Sequence, residues 1–306
     1  MDKIKLICVV GATASGKTAL AVGLAESLGG EVISADSMQV YKGMPIATAA
    51  ATAEEQKGIP HHLLGFLEPG ERFSVGEFVP LAKKTAFEIA ERGKVPIVAG
   101  GTGLFIDSLA QNISFAGSGA DEELRNELEK KSTDELYAEL LSLDGEAAEN
   151  IHKNNRKRVI RALELYYGGI SKTEQNIKSR EGENPFDTLY IGIGCRDREK
   201  LYERINKRVD LMVENGLEEE ARLMLSRVGK TAAQAIGHKE LKPYIDGEIT
   251  LEEAVENLKR ETRRYAKRQL TWFRRNGDIH WFNTDELEFS ELVRRAAALA
   301  EDFLND

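Results

Sequence analysis

The feature that most constrains the fold is a glycine-rich loop that directly follows a short apolar run. Residues 6–10 have the sequence LICVV, which is typical of a buried strand, and residues 11–18 follow as GATASGKT. Apolar residues in the next segment, 19–28, recur at helical spacing before a Gly-Gly pair. A G-x-x-x-x-G-K-[ST] loop between a strand and a helix is the P-loop pattern, so the sequence predicts a phosphate site here.

The chemistry of this loop predicts a diphosphate or a triphosphate ligand and does not choose between them. Glycines permit a tight turn whose backbone N–H groups approach phosphate oxygens, and the start of the next helix adds a partial positive charge. Lys17 contributes a full positive charge, and the Thr18 hydroxyl is a candidate ligand for Mg²⁺. The pattern alone does not require the ligand to be a nucleotide.

The rest of the chain alternates between predicted strands and predicted helices. Apolar runs predict four more strands, and helical spacing predicts a helix over residues 76–92. This alternation predicts an α/β fold in which a P-loop core contains a parallel sheet flanked by helices. The four further strands are expected at residues 31–36, 94–101, 188–195 and 279–282.

A long charged stretch in the middle of the chain differs from the rest. It has helical spacing and no obvious buried strand, so we expect an inserted, mainly helical domain. The predicted domains are a P-loop α/β core with C-terminal helices at residues 1–112 and 188–306, and a helical insertion at residues 113–187.

The composition excludes several classes of protein. The net charge is -9, so any contact with nucleic acid must come from a local basic patch. Cys8 and Cys195 lie in apolar runs and are expected to be buried free thiols. No run reaches about 18 apolar residues, and the first residues lack the pattern of a signal peptide. We therefore expect a cytoplasmic enzyme without membrane contact, and we expect a monomer because nothing indicates an obligate dimer.

Polar residues follow two of the predicted strands. Asp36 lies in SADSMQVY (34–41), and the carboxyl ends of parallel strands surround the ligand crevice, so Asp36 is expected to face the P-loop. It is a candidate general base, an indirect Mg²⁺ ligand or a helix N-cap. The amide of Gln39 is suited to an adenine edge. Thr102 in VAGGTG (98–103) either donates to a phosphate or carboxylate, or lies in a plain turn.

One stretch near the C-terminus is strongly basic. Residues 259–275 contain eight Lys or Arg residues and one Glu. At about 100° per residue, a helix places most of these cations on one face, opposite Leu258 and Phe273. A stripe of one sign predicts contact with nucleic acid or another polyphosphate.

Two weaker basic clusters lie elsewhere. In residues 152–165 the cations are either a solvated face or a contact surface. In residues 202–210, Arg208 either reaches a phosphate or pairs with a neighbouring carboxylate on the surface. The adjacent His61 and His62 are not expected to bind a metal ion, because no carboxylate or cysteine partner is evident.

In order along the chain, these motifs resemble those of bacterial tRNA dimethylallyltransferases, which prenylate the adenosine 3′ of the anticodon. The resemblance covers about residues 5–282. It is specific, because a P-loop kinase would share only the first of these motifs. The matching segments are GATASGKT, ISADSMQVYKGM, PHHL, VAGGTGLFI, RVIRALEL, LYERINKRVDLMVENGL, TAAQAIGHKEL and RRYAKRQLTWFR.

The resemblance implies roles for individual residues. The loop would hold the diphosphate of dimethylallyl diphosphate, with Thr18 on Mg²⁺, Asp36 as general base and Arg208 on the departing diphosphate. Thr102 and Arg125 would lie beside the tRNA and the reacting centre. The implied catalytic residues are Asp36, Thr102 and Arg208. The implied diphosphate-binding residues are Gly11, Thr13, Ala14, Ser15, Gly16, Lys17 and Thr18. The implied tRNA-binding residues are Asp36, Ser37, Met38, Gln39, Thr102, Arg125, Lys157, Arg158, Arg161, Gln234, His238, Lys239, Lys267, Arg268 and Arg274.

The chain departs from the family pattern in three places. Ala12 stands where proline is usual, and His238 stands where tyrosine is commoner, although a histidine ring can also stack on a base. The family usually has GMDIGTAKPTAEE where this chain has GMPIATAAATAEE, so the family pattern does not predict the path of that loop. The residues that replace Asp, Gly, Lys and Pro there are Pro45, Ala47, Ala50 and Ala51.

Three other functions compete with tRNA prenylation. A P-loop kinase for a small metabolite, or an enzyme that prenylates free AMP, would use the P-loop and Asp36 but leave the basic stripe without a role. A non-catalytic RNA-binding module would use the stripe but leave the P-loop and Asp36 without a role.

Overall fold

A computed structural model of the chain contains two compact units. Gln111–Glu183 forms the inserted unit, and the chain on either side of it forms the core unit. The insertion was predicted at residues 113–187. The structure describes residues 3–115, 121–179 and 181–306. The predicted domain ranges also include residues 1–2, 116–120 and 180, which lie outside the described residues.

Six parallel strands form one sheet in the core unit, in the order β3-β2-β4-β1-β5-β6. Every strand predicted from the sequence is present. The sixth, β3, was not predicted, because two residues at a sheet edge are too short to show a periodic pattern. The strands are β1 (Ile4–Gly11), β2 (Gly30–Ser34), β3 (His61–His62), β4 (Val95–Gly100), β5 (Phe186–Gly194) and β6 (Ile279–Asn283).

Helices connect these strands and fill the inserted unit. Before the insertion they are α1 (Lys17–Leu28), α2 (Pro45–Thr48), α3 (Ala53–Gln56), α4 (Val75–Glu91) and α5 (Gly103–Ala110). Within the insertion they are α6 (Glu122–Lys130), α7 (Thr133–Leu143), α8 (Gly145–Asn150), α9 (Arg156–Tyr167) and α10 (Lys172–Lys178). After it they are α11 (Arg198–Glu214), α12 (Leu217–Met224), α13 (His238–Ile245), α14 (Leu251–Phe273) and α15 (Phe289–Asn305).

The sheet is covered by helices, which explains why its central strands are continuous apolar runs. Successive residues of a strand point to opposite faces. On one face Ile7 and Val9 of β1 pack with Leu20 and Leu24 of α1 and with Leu292 of α15. Helices α4 and α5 also contact the strands of this sheet. The predicted α/β fold, with a parallel sheet flanked by helices, is confirmed.

The inserted unit has an apolar core of its own. Leu128 of α6, Leu136 and Leu140 of α7, and Val159 and Leu163 of α9 are all buried in one cluster. Its described residues contain helices and no strand. The core chain leaves for this unit and returns from it at adjacent points, because Asn184 Nδ2 donates a hydrogen bond to the Ala110 carbonyl at 2.8 Å.

Two further expectations concern cysteines and membranes. Cys8 and Cys195 are both free and buried, as predicted. In the described part of the chain, no helix combines the length and the apolar character that crossing a bilayer requires.

Candidate active site

Three loops of the candidate site follow neighbouring strands of the sheet. The P-loop follows β1, Asp36 follows β2 and Thr102 follows β4, and β4 lies between the other two strands. Because all three strands are parallel, their carboxyl ends lie at the same edge. The fold therefore brings these three segments together, as the sequence predicted.

The backbone of the P-loop has the conformation that its glycines permit. A Cβ at Gly11 would lie 2.2 Å from the carbonyl oxygen of Ile193, so only glycine fits between β1 and β5. Gly16 has a φ of 96° and caps α1 in the left-handed region. Ala14 also has a positive φ, of 60°. The loop thus ends at the N-terminus of a helix of 12 residues, where unpaired N–H groups favour an anion.

The side chain of Lys17 folds back on the loop. Its Nζ donates a hydrogen bond to the carbonyl of Ala12 at 2.6 Å. Burial, and next the positive charge of Arg208, lower the pKa of Lys17 to about 7, although Asp36 opposes this shift. Lys17, Arg208 and Asp36 therefore share one electrostatic environment.

Asp36 holds a tight turn with one of its carboxylate oxygens. Oδ1 accepts hydrogen bonds from the backbone N–H of Met38 at 2.9 Å and of Gln39 at 3.4 Å. The Thr102 hydroxyl accepts from the Ser37 N–H at 3.0 Å and donates to Ser37 Oγ at 3.3 Å. The capping role left open by the sequence is therefore real, but it serves a turn and not a helix. Oδ2 takes part in none of these bonds, so the second oxygen of Asp36 is available for chemistry.

Arg208 of α11 is close enough to this site to interact electrostatically with Lys17 and Asp36. Burial lowers the pKa of Arg208, and the negative charges of Asp36 and Glu55 oppose the shift. The alternative that Arg208 pairs with a neighbouring carboxylate on its own helix is not what the structure shows, because Asp210 pairs with Lys259 at 2.7 Å. No carboxylate of the described residues lies within ion-pair distance of Arg208. Arg204, one turn earlier, is instead bonded to Thr284.

Helix α14 contributes two side chains that the sequence analysis did not single out. Gln269 is buried, accepts a hydrogen bond from the Thr13 N–H at 2.8 Å and donates one to the Gly101 carbonyl at 3.0 Å. Burial, and next the charge of Asp36, raise the pKa of Tyr265, while hydrogen bonds to Thr102 and Gln269 oppose the rise. The signal that indicates Gln269 is a polar residue on the apolar face of an amphipathic helix.

Comparison with known proteins places this site in a family. A family model described as IPP transferase matches residues 39–276, and one described as isopentenyl transferase matches residues 4–65. The tRNA dimethylallyltransferase of Halalkalibacterium halodurans is 46% identical over 298 residues, which cover 95% of each chain. The chain belongs to the IPP transferase family.

Solved structures of IPP transferase family members share the fold. The tRNA isopentenylpyrophosphate transferase of Bacillus halodurans has a TM-score of 0.75 and 44% identity, and the match covers 99% of this chain and 97% of that one. A eukaryotic dimethylallyltransferase, described as acting on tRNA, has a TM-score of 0.83 and 30% identity. That match covers 99% of this chain and 80% of the other.

The basic stripe of this family member lies on the outer face of α14. The apolar side chains of Leu258, Ala266 and Phe273 are buried. Lys267 and Arg268 are exposed, with Arg268 lying over the ring of Tyr265. The predicted division into a packing face and a basic face is confirmed except at Arg263, which is half-buried and donates a hydrogen bond to Asn206 of α11. The helix ends at Phe273, so Arg274 and Arg275 lie just beyond it, both exposed. Contact with tRNA stays a prediction.

In the inserted unit, a buried carboxylate holds two of the predicted tRNA-binding arginines. The side chain of Glu164 is only 2% exposed, lies 3.6 Å from Arg125 Nε and accepts a hydrogen bond from Arg161 at 3.1 Å. Lys157 and Arg158 are exposed on the same helix, α9. Arg161 is thus hydrogen-bonded to the buried carboxylate, whereas Arg125 forms ion pairs both with it and, at 3.4 Å, with Glu129. Their contact with tRNA stays a prediction.

The predicted residues around α13 divide into exposed and buried side chains. Gln234 and Lys239 are exposed. The side chain of His238 is 0% exposed, and its Nε2 lies 2.8 Å from Glu220 Oε1. The expectation that the His238 ring stacks on a base is therefore wrong for this conformation, because no part of the ring reaches the surface.

Gln39 also differs from the expectation that its amide contacts adenine. Its Nε2 donates to the carbonyls of Thr48 and Ala49, both at 3.2 Å, and its Oε1 accepts from Ser34 Oγ at 3.3 Å. Both N–H groups are therefore used within the protein. Gln39 holds the atypical loop against the Asp36 turn, and a contact with adenine would require these bonds to break.

Glu220 anchors the same loop from the other side. Its carboxylate accepts hydrogen bonds from the backbone N–H groups of Ile46 at 2.8 Å and Ala47 at 2.9 Å, in addition to its contact with His238. This loop, whose path the family pattern does not predict, forms a one-turn helix, α2, whose first N–H groups are bonded to Glu220.

Replacing Glu220 with alanine is expected to lower the free energy of unfolding by about 3 kcal/mol, because it leaves buried N–H groups without acceptors. Urea denaturation measures this change. The matched control is Glu219→Ala, which removes an exposed carboxylate from the preceding position and should change the free energy of unfolding by less than about 0.5 kcal/mol. Equal effects of the two substitutions would contradict the anchoring role.

Proposed function

We propose that this protein transfers the dimethylallyl group of dimethylallyl diphosphate to N6 of the adenosine 3′-adjacent to the anticodon in tRNA, and that it releases diphosphate. The observation that carries this proposal is that the P-loop and Asp36 follow parallel strands at one edge of the sheet, with Arg208 interacting electrostatically with Asp36. The chain that contains them belongs to the IPP transferase family along nearly its full length. A tRNA substrate implies the compartment that holds tRNA, which we propose is the cytoplasm.

The reaction forms one bond and breaks another. The exocyclic amine of adenine attacks the allylic carbon, and the carbon–oxygen bond to diphosphate breaks with its electron pair on oxygen. The amine is a poor nucleophile because its lone pair is delocalised into the ring, so loss of its proton must accompany bond formation. Asp36 Oδ2, which no turn N–H occupies, accepts this proton. The adenine must leave the base stack to reach the crevice.

Stabilising the charge on the departing diphosphate requires a larger electrostatic contribution than removing the proton from the amine. Negative charge grows on the bridging oxygen as the bond breaks, and groups that already point at this position stabilise it without reorganisation. The N–H groups at the start of α1, Lys17 and Arg208 supply that field. Thr102 fixes Ser37 and thereby the turn that carries the base.

The residues present fit a Mg²⁺ ion bound together with the diphosphate. The Thr18 hydroxyl, in the first turn of α1, makes no hydrogen bond to the described residues, and no cluster of three or more ligating side chains exists among them. A Mg²⁺ ion bound mainly by phosphate oxygens with one protein ligand matches this set. Such an ion would neutralise part of the charge on the diphosphate.

The affinity for dimethylallyl diphosphate is expected to fall as the pH rises from about 7 to about 9, because the pKa of Lys17 is about 7 and the amine is neutral above it. Binding at the higher pH must then recharge Lys17 by proton uptake. Calorimetry in buffers with different ionisation enthalpies measures this uptake. Lys17→Met should take up no proton and bind weakly at every pH. A wild-type affinity that is flat over this range would contradict the assignment.

One experiment tests the proposed function against its rivals. The protein is incubated with radiolabelled dimethylallyl diphosphate and with tRNA, AMP or buffer, and the label is followed. Transfer to tRNA alone is expected. Transfer to AMP and not to tRNA would refute the proposal, and hydrolysis of ATP with no label transfer would support the metabolite kinase.

A further inference from the structure

The side chain of Gln269 spans two loops of the active-site crevice. It is 5% exposed, and both ends of its amide are bonded to backbone: Oε1 to the Thr13 N–H at 2.8 Å and Nε2 to the Gly101 carbonyl at 3.0 Å. A Cβ at Gly101 would lie 2.1 Å from Gln269 Nε2, so this approach requires glycine. The same Cβ position is 3.8 Å from Asp36 Oδ2. The amide of Gln269 and the carboxylate of Asp36 therefore both lie close to Gly101.

This contact removes one donor from the phosphate loop. A P-loop binds phosphates through its backbone N–H groups. A phosphate that lies beyond the N–H groups at the start of the helix must use N–H groups earlier in the loop. Here the N–H of Thr13, the third residue of the loop, is bonded to a side chain. A phosphate placed at this position would lose that donor and would face a carbonyl oxygen, which repels it. The N–H groups left for a ligand lie nearer to the start of α1.

We propose that Gln269 is a positioning residue that limits the loop to two phosphates. Its amide oxygen occupies the Thr13 N–H, so a third phosphate cannot bind there. This inference rests on the proposed function, because the alkyl carbon of the substrate must then occupy the space between the two bound phosphates and the base. Gln269 thereby determines that the loop binds a diphosphate ester and not a nucleoside triphosphate. No other described side chain is bonded to a backbone N–H of the loop between Gly11 and Thr18.

The test compares two inorganic ligands at fixed pH and fixed free Mg²⁺. Dissociation constants of diphosphate and triphosphate are measured by calorimetry for the wild type and for Gln269→Ala. The wild type is expected to prefer diphosphate. The variant frees the Thr13 N–H and removes four side-chain heavy atoms, so its preference should move toward triphosphate by about tenfold, the worth of one hydrogen bond to a charged group.

Two further variants make the result decisive. Gln269→Met keeps the length of the side chain but lacks both hydrogen bonds, so it should move the preference in the same direction by a smaller factor. It also replaces the alanine variant if that variant does not fold. Thr271→Ala, an exposed position on the same helix, should leave the preference unchanged. A purely structural role predicts that both ligands weaken together, and an unchanged ratio in the folded variants overturns the inference, as does a wild type that prefers triphosphate.

The ligand-preference test of Gln269 and the label-transfer test of the proposed function can fail independently. Label transfer to tRNA by the wild type tests the function alone. A wild type that transfers label, together with an unchanged ratio in the Gln269 variants, refutes only the role of Gln269. A wild type that transfers no label refutes the function whatever the binding ratio.

Discussion

Replacing Asp36 with asparagine is expected to lower the rate of prenyl transfer to tRNA by about 10²–10⁴-fold while both substrates still bind. Asparagine keeps an oxygen that can accept from the N–H groups of Met38 and Gln39, so the turn is retained. It has no oxygen that can take the proton of the adenine amine. The measurement is single-turnover transfer from labelled dimethylallyl diphosphate, with the affinity for each substrate measured separately.

Asp36→Ala serves as the comparison for the two functions of this carboxylate. It removes both the base and the acceptor that holds the turn. If the turn contributes to placing the adenine, alanine should weaken tRNA binding in addition to slowing transfer, whereas asparagine should only slow transfer. A folded asparagine variant with an undiminished rate would exclude Asp36 as the general base.

Replacing Arg208 with alanine is expected to reduce the rate of transfer by about 10²–10³-fold, the effect of removing one charge-stabilising group from a preorganised site. Arg208 has no carboxylate partner among the described residues, so its charge is available to the departing diphosphate. The matched control is Lys207→Ala, which removes a neighbouring exposed cation and should leave the rate unchanged.

Arg208→Ala should also change the pH dependence of diphosphate binding, which a general structural defect would not do. Arg208 lowers the pKa of Lys17, after the larger effect of burial. Its removal should therefore raise the pKa of Lys17 and move the alkaline loss of diphosphate affinity to higher pH. A slower variant whose pH profile is unchanged would contradict the shared electrostatic environment of these two cations.

Local signals in the sequence were sufficient for the fold and for the centre of the site. β1 and the P-loop are adjacent in the chain, and the apolar run and the glycines that define them are contiguous. Asp36 and Thr102 follow strands, and a parallel sheet brings the ends of its strands to one edge. Those predictions needed no knowledge of distant contacts.

The expectations that differ from the structure depend on bonding partners that a motif does not specify. For Gln39 these partners include the nearby Thr48 and Ala49, and in other cases they are distant in sequence. The ring of His238 is buried because Glu220, on another helix, forms a pair with it. The role of Gln269 depends on Thr13, which is separated from it by most of the chain. A motif identifies the residue type at each of these positions, but burial and bonding depend on which segments pack together.

The hydrogen bond between Asn184 and Ala110 has a consequence for how the chain is built. Because the core chain departs and returns at neighbouring points, the ends that a replacement linker would join are already close, and closing a short loop there adds little entropy cost. All residue pairs between β5 and β1 lie within the core unit, outside the 73 residues of Gln111–Glu183. We therefore expect that a homologous segment of different length can replace the insertion while the parallel strands of the core keep their order.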